Sequence, residues 1–210
     1  MSSIVVRSAD FGPALAKFKS ERCVQKSVFI SGSSDSVSSK RVGAINPSVN
    51  SVLRDSAEGV MAALRESPVA LVTNGVRGGV SQAMLMNARA AKVATIGIFE
   101  EGEDAETSGR SELLVDLMDF AVCLPKSSGL KAADVIARLA DGKIETGAFG
   151  MEIVSRASAA APSVNLPILR SEKSGSAGAL EDFHTVGETV GNTCLAAMGL
   201  LEASPLARSA

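Results

Sequence analysis

Three short runs in this 210-residue chain combine small, hydroxyl-bearing and basic residues. The first is Ser31-Gly32-Ser33-Ser34. The second is Asn74-Gly75-Val76-Arg77-Gly78-Gly79, with Ser81 two residues on. The third is Pro125-Lys126-Ser127-Ser128-Gly129. Glycine lets a ligand approach the backbone closely and tolerates positive φ. Hydroxyls donate hydrogen bonds, and Arg77 and Lys126 bring full positive charge. Where such a run opens a helix, the unpaired N–H groups and the partial positive charge of the helix end favour an anion. The chemistry these residues suit is therefore the holding of a phosphate or another oxyanion.

The elements around the runs are read from hydrophobic spacing. Residues 4–6, 27–30, 69–72, 93–99 and 120–124 are short β-rich runs, and Val69-Ala70-Leu71-Val72 is apolar throughout, as in a strand covered on both faces. Between them lie helical patterns at 13–21, 80–91, a short one at 111–118, and 130–140. The clearest helix follows Asn46, a cap, and Pro47 at the first helical position. In it Val49, Leu53, Ala57, Val60, Met61 and Leu64 recur at helical spacing. Residues 148–161 read as a helix, 166–169 as a last short strand and 183–203 as a C-terminal helix. Strands alternating with helices give an α/β fold: a three-layer αβα sandwich on a mainly parallel sheet of 5–6 strands, Rossmann-like. In such sheets ligands collect beyond the carboxyl ends of the strands, where all three runs fall. We expect one domain over 1–210, with a strand–helix extension at 1–25 and a frayed tail at 204–210.

Composition excludes several classes. Lys and Arg number 21 against 23 Asp and Glu, so the formal charge is −2. No basic excess is present for phosphate-backbone binding, and with no Trp or Tyr base stacking is a poor mechanism. A nucleic-acid or membrane partner is therefore not expected. One histidine excludes a His-rich metal centre. Cys23, Cys123 and Cys194 are widely spaced and read as buried small side chains in a reducing, cytoplasmic setting. No metal and no cofactor is expected. The acidic run at 100–106 meets no ligand-spacing rule and reads as a solvated loop. No Gly-x-Ser-x-Gly and no P-loop motif occurs.

The order strand–GSS–helix–strand–(T/N)G-x-x-GG–helix–strand resembles the LOG/SLOG superfamily of Rossmann-like nucleotide-binding proteins. This superfamily includes the cytokinin-activating phosphoribohydrolases and is related to the DNA-processing protein A fold. The matching stretches are VFISGSS (28–34), ALVTNGVRGGVSQAM (70–84), TIGIF (95–99) and DFAVCLPKSSGLKAADVIARL (119–139), about half the chain. The family's hydrolases carry PGGxGTxxE in the last stretch. Here Pro125 and Gly129 keep the frame, Lys126 and Ser127 replace the paired glycines, and Leu130 replaces Thr. Ala133 stands where the catalytic Glu belongs, with Asp134 one position later. The resemblance thus implies a phosphate cradle and does not imply glycosidic hydrolysis. Strand–NG-x-x-GG-x-S–helix–strand is also similar to a sugar isomerase (SIS) domain. That likeness implies a second phosphate loop at Lys126, Ser127 and Ser128, and it draws attention to His184 and Glu188. These two lie four apart on one helix face and form a reasonable acid/base couple for enediol chemistry.

The reading that follows is a phosphate-bearing small molecule, a nucleotide above all, bound at the C-terminal edge of the sheet. Gly32, Ser33 and Ser34 would meet ribose or phosphate. Gly75, Arg77, Gly78 and Gly79, flanked by Asn74 and Ser81, would hold phosphate through N–H groups and a guanidinium. Lys126, Ser127, Ser128 and Gly129 would close the site. Two alternatives stand beside it: a sugar-phosphate isomerase-like enzyme, and a non-catalytic assembly subunit using its C-terminal helix. The low-charge stretch 189–201 favours burial, in the core or against a partner, and a homo-oligomer is expected.

Overall fold

The structure, a computed structural model, describes residues 3–32, 47–77, 79–102, 106, 108–110, 112–124, 131–147, 150–154 and 183–201. The chain runs β1 (Ile4–Val6), α1 (Gly12–Glu21), β2 (Lys26–Gly32), α2 (Pro47–Leu64), β3 (Val69–Thr73), α3 (Gly79–Ala91) and β4 (Ala94–Phe99). A 3-10 helix (Glu112–Leu117), β5 (Phe120–Cys123), α4 (Ala132–Leu139), β6 (Gly142–Gly147), β7 (Gly150–Val154) and α5 (Phe183–Ala197) follow. The strands form one sheet in the order β1-β5-β4-β3-β2-β6-β7. Its first five pairings are parallel. Only the last, β6 with β7, is antiparallel. The fold class is thus α/β, a three-layer Rossmann-like sandwich, and β2 to β5 lie adjacent and parallel as expected.

Strand periodicity decides the two cores. Val28, Ile30, Leu71 and Ile144 pack with Val60, Met61 and Leu64 of α2, Met84 and Ala88 of α3, and Val190, Cys194 and Leu195 of α5. The alternate residues Phe29, Ala70, Val72, Ile96, Ile98, Phe120 and Val122 face Leu15 and Phe18 of α1 and Val135 and Leu139 of α4. Every residue of β3 is buried, because helices cover both of its faces. The Phe18 and Phe120 rings lie 5.3 Å apart, which ties α1 to the edge of the sheet where β1 pairs with β5. Among the described residues no helix is long and apolar enough to cross a membrane.

Glycines set how α5 docks. A Cβ on Gly59 would stand 2.0 Å from the His184 carbonyl oxygen, and one on Gly187 would stand 2.2 Å from that of Ser56. A Cβ on Gly191 would meet the Ala63 side chain at 2.6 Å. The backbones of α2 and α5 therefore touch, and the glycines that weaken α5 as an isolated helix are what allow it to pack here.

Four readings are corrected. Residues 150–154 are a strand, not part of a helix over 148–161. Residues 142–147 form a strand that the sequence reading left out, so the sheet has seven strands rather than 5–6. Alternation within Gly142–Gly147 and Gly150–Val154 lets them pair with Gly147 opposite Gly150, and Ile144 is thereby buried against β2. The short helix at 111–118 is a 3-10 helix over Glu112–Leu117. The C-terminal helix stops at Ala197, where Gly199 takes φ +73° and the Leu200 N–H donates to the Leu195 carbonyl. The expected strand at 166–169 and the tail at 204–210 lie outside the described residues.

Candidate functional site

The turn after β3 is fixed by its own polar groups. Thr73 Oγ1 accepts from the Gly75 N–H at 3.1 Å, and Asn74 Oδ1 accepts from the Val76 N–H at 3.2 Å. Gly75 takes φ +68°, and a Cβ there would lie 1.8 Å from the Ile98 carbonyl oxygen. The turn is therefore seated on the backbone of β4, and only glycine fits. The Arg77 N–H donates to the Gly109 carbonyl at 2.8 Å, and Val76 pairs with Arg110 in an antiparallel bridge. This corrects the expectation that Gly75 and Arg77 offer backbone N–H groups to a ligand: both are taken within the protein. The Arg77 side chain is exposed.

Two other residues carry the open valences. Ser81, in the first turn of α3, is 7% exposed, and its Oγ has no partner among the described residues. Helical side chains lean back toward the N-terminus. Leu85, one turn further on, packs with Phe99, Leu114 and Met118, so this face of α3 looks at the end of β4. The Arg110 backbone lies beside the end of β4, because the Glu100 N–H donates to its carbonyl at 3.4 Å. The Arg110 guanidinium donates from Nη1 to Glu100 Oε1 at 3.0 Å, while its buried Nε has no partner among the described residues. Neither Arg110 nor Glu100 stood out in the sequence. Arg110 matches no motif, and Glu100 begins an acidic run that reads as solvated, yet its side chain is only 16% exposed.

The remaining candidates fall elsewhere or outside the described residues. Gly32 ends β2 opposite Thr146 of β6. Gly79 opens α3. Ser33, Ser34, Gly78, Lys126, Ser127, Ser128 and Gly129 are outside the described residues. Asp134 is in the first turn of α4 and is exposed. His184 is half-buried and Glu188 exposed, and their backbones lie against Gly59 at the middle of α2.

The two buried cysteines are poor nucleophiles. Burial pushes the Cys123 thiol up, and the Glu101 charge adds to this, although Cys123 ends β5 at the C-terminal edge of the sheet. Cys194 is pushed up to about 12 by burial. Cys23 is exposed, against expectation, because it closes the C-terminus of α1 with φ 54°. Among the described residues no group of three or more His, Cys, Asp or Glu could hold a metal ion.

No protein-family model and no curated protein sequence matches the chain. Among solved structures it is similar to the molybdenum cofactor carrier protein of Chlamydomonas reinhardtii, at 17% identity, over 58% of this chain and 62% of that one, with a TM-score of 0.39. The chain thus spans less than two thirds of that protein's length, and a likeness this distant carries no argument about the site.

Proposed function

We propose that the chain binds a phosphate-bearing small molecule, a nucleotide above all, at the C-terminal edge of the sheet, in front of α3. The observation that carries this reading is the pair of buried donors left without a partner among the described residues, Ser81 Oγ and Arg110 Nε. Buried polar groups are nearly always paired, and leaving one unpaired costs about 1–3 kcal/mol. Both groups here can donate to an oxygen. The start of α3 adds N–H groups that have no intrahelical acceptor, and an oxyanion suits all three. In this reading the cation that meets the ligand is Arg110, with Arg77 on the rim.

The test is calorimetric titration with nucleotides and sugar phosphates, on the native chain and on Arg110→Met. Binding that Arg110→Met weakens by about tenfold or more supports the reading, since hydrogen bonds to charged groups contribute about 1.5–3 kcal/mol. Binding that Arg110→Met leaves unchanged moves the site elsewhere. The isomerase alternative gains no support from the described contacts of His184 and Glu188, which are with α2.

A further inference from the structure

The guanidinium of the site is already paired with a carboxylate. Glu100 follows directly on β4, and its Oε1 lies 3.0 Å from Arg110 Nη1, with the two side chains 16% and 23% exposed. Main-chain bonds hold the partners in place: Glu100 N–H to Arg110 carbonyl at 3.4 Å, and Arg77 N–H to Gly109 carbonyl at 2.8 Å. Glu101, next in sequence, is committed to Arg7 at 2.7 Å. A ligand oxygen that accepts from Arg110 Nε therefore meets an ion pair whose charges sum to zero, with the exposed Arg77 and the modest positive end of α3 beyond it. A phosphate monoester carries nearly two negative charges above its second pKa of about 6; a phosphodiester carries one. Each extra charge is opposed by the Glu100 carboxylate in a partly buried setting, where charges interact several times more strongly than in water.

We infer that Glu100 is a specificity-determining residue, and that it selects a ligand with a single negative charge on phosphorus, a cyclic or internal phosphodiester, over a terminal phosphate dianion. The inference rests on the anion site proposed above. It gives a role to the first residue of the acidic run and narrows the ligand class.

The experiment titrates the full chain at pH 8 with the four ribonucleoside 3′,5′-cyclic monophosphates and the four ribonucleoside 5′-monophosphates. The native chain is expected to bind its preferred cyclic monoanion about tenfold or more tightly than the matching dianion. Glu100→Gln keeps an acceptor oxygen for Arg110 Nη1 and removes the charge. It is expected to raise dianion affinity by about tenfold or more while moving cyclic affinity by no more than about threefold. A native chain that prefers the dianion overturns the inference without any variant. So does a Glu100→Gln protein in which the ratio is unchanged; in both cases the anion site itself stands. If neither set binds to either protein, the anion site falls, and the inference with it.

Discussion

At the N-terminal edge of the sheet, Asp119 and Asp141 each stand one residue before a strand and close back onto a neighbouring strand. At the opposite edge, Ser81 and Arg110 hold buried polar atoms that meet no partner among the described residues. Asp119 Oδ2 accepts from the Thr95 N–H at 3.0 Å and from Thr95 Oγ1 at 3.2 Å, and its Oδ1 pairs with Arg22 at 3.1 Å. Asp141 repeats the arrangement: Oδ2 accepts from the Ser27 N–H at 2.8 Å and from Ser27 Oγ at 3.1 Å, and pairs with Lys19 at 3.2 Å. Both cations come from the end of α1. The contrast separates groups that hold the fold together from groups left available. A parallel sheet can be clamped where strands begin and kept open where they end, which is where such folds bind ligands.

The largest effect is expected at a place on the open edge that is as tightly built as the clamped one. Gly75→Ala adds a Cβ against the Ile98 carbonyl at a φ of +68°. It should cost about 3 kcal/mol or more in urea unfolding, from the left-handed backbone and the displaced turn together. A loss under about 1 kcal/mol would mean that the turn is not seated on β4. Asp119→Ala comes next. It leaves the buried Thr95 without its carboxylate acceptor and should cost about 2–3 kcal/mol. Asp141→Ala should cost somewhat less, because Asp141 is more exposed than Asp119. Neither Asp variant should change ligand affinity; an altered affinity would mean that the two edges are coupled.

Much of this division was legible in the residues, and its limits have physical causes. Alternating apolar strands and helices pointed to β2 to β5 as parallel neighbours in one sheet, since local periodicity reports burial directly. The β6–β7 hairpin escaped because Lys143, Glu145 and Thr146 dilute a short run, and its partner across the sheet, β2, is more than a hundred residues away in sequence. Gly75 is legible as a turn glycine, and its φ of +68° agrees. That its N–H is bonded within the turn is not legible, because nothing in the sequence says that Thr73 Oγ1 will take it. Arg110 and Glu100 could not be found by spacing, since it is the bridge between Val76 and Arg110 that brings them to the turn.

A smaller gain is expected where the clamped edge falls short of its best. Cys23 and Lys92 close α1 and α3 with φ of 54° and 61°, a conformation that glycine adopts without strain. In each cap the next residue donates five residues back, Val24 to the Lys19 carbonyl and Val93 to that of Ala88. Both side chains are exposed, so little packing is lost on their removal. Lys92→Gly and Cys23→Gly should each raise stability by about 0.5–1 kcal/mol in thermal or urea unfolding. A loss instead would show that the side chains make contacts worth more than the backbone strain.

The smallest effect on stability is expected at Ser81, and it tests the comparison most sharply because its sign is unusual. Most buried polar residues destabilise a protein when truncated, since a partner is left behind. Ser81 Oγ has no partner among the described residues, so Ser81→Ala strands nothing and removes a hydroxyl that is desolvated without return. Alanine also has the higher helix propensity, by a few tenths of a kcal/mol. In the absence of ligand the variant should therefore be as stable as the native chain or more so, by up to about 1 kcal/mol. With a bound phosphate compound the order should reverse, because a ligand stabilises the folded chain by RT ln(1+[L]/Kd) and the variant's Kd is larger. Unfolding curves with and without ligand measure both halves. A clear loss of stability without ligand would mean that Ser81 belongs with Thr95 and Ser27, the hydroxyls that hold the sheet, and the open edge would then lose one of the two donors that are free among the described residues.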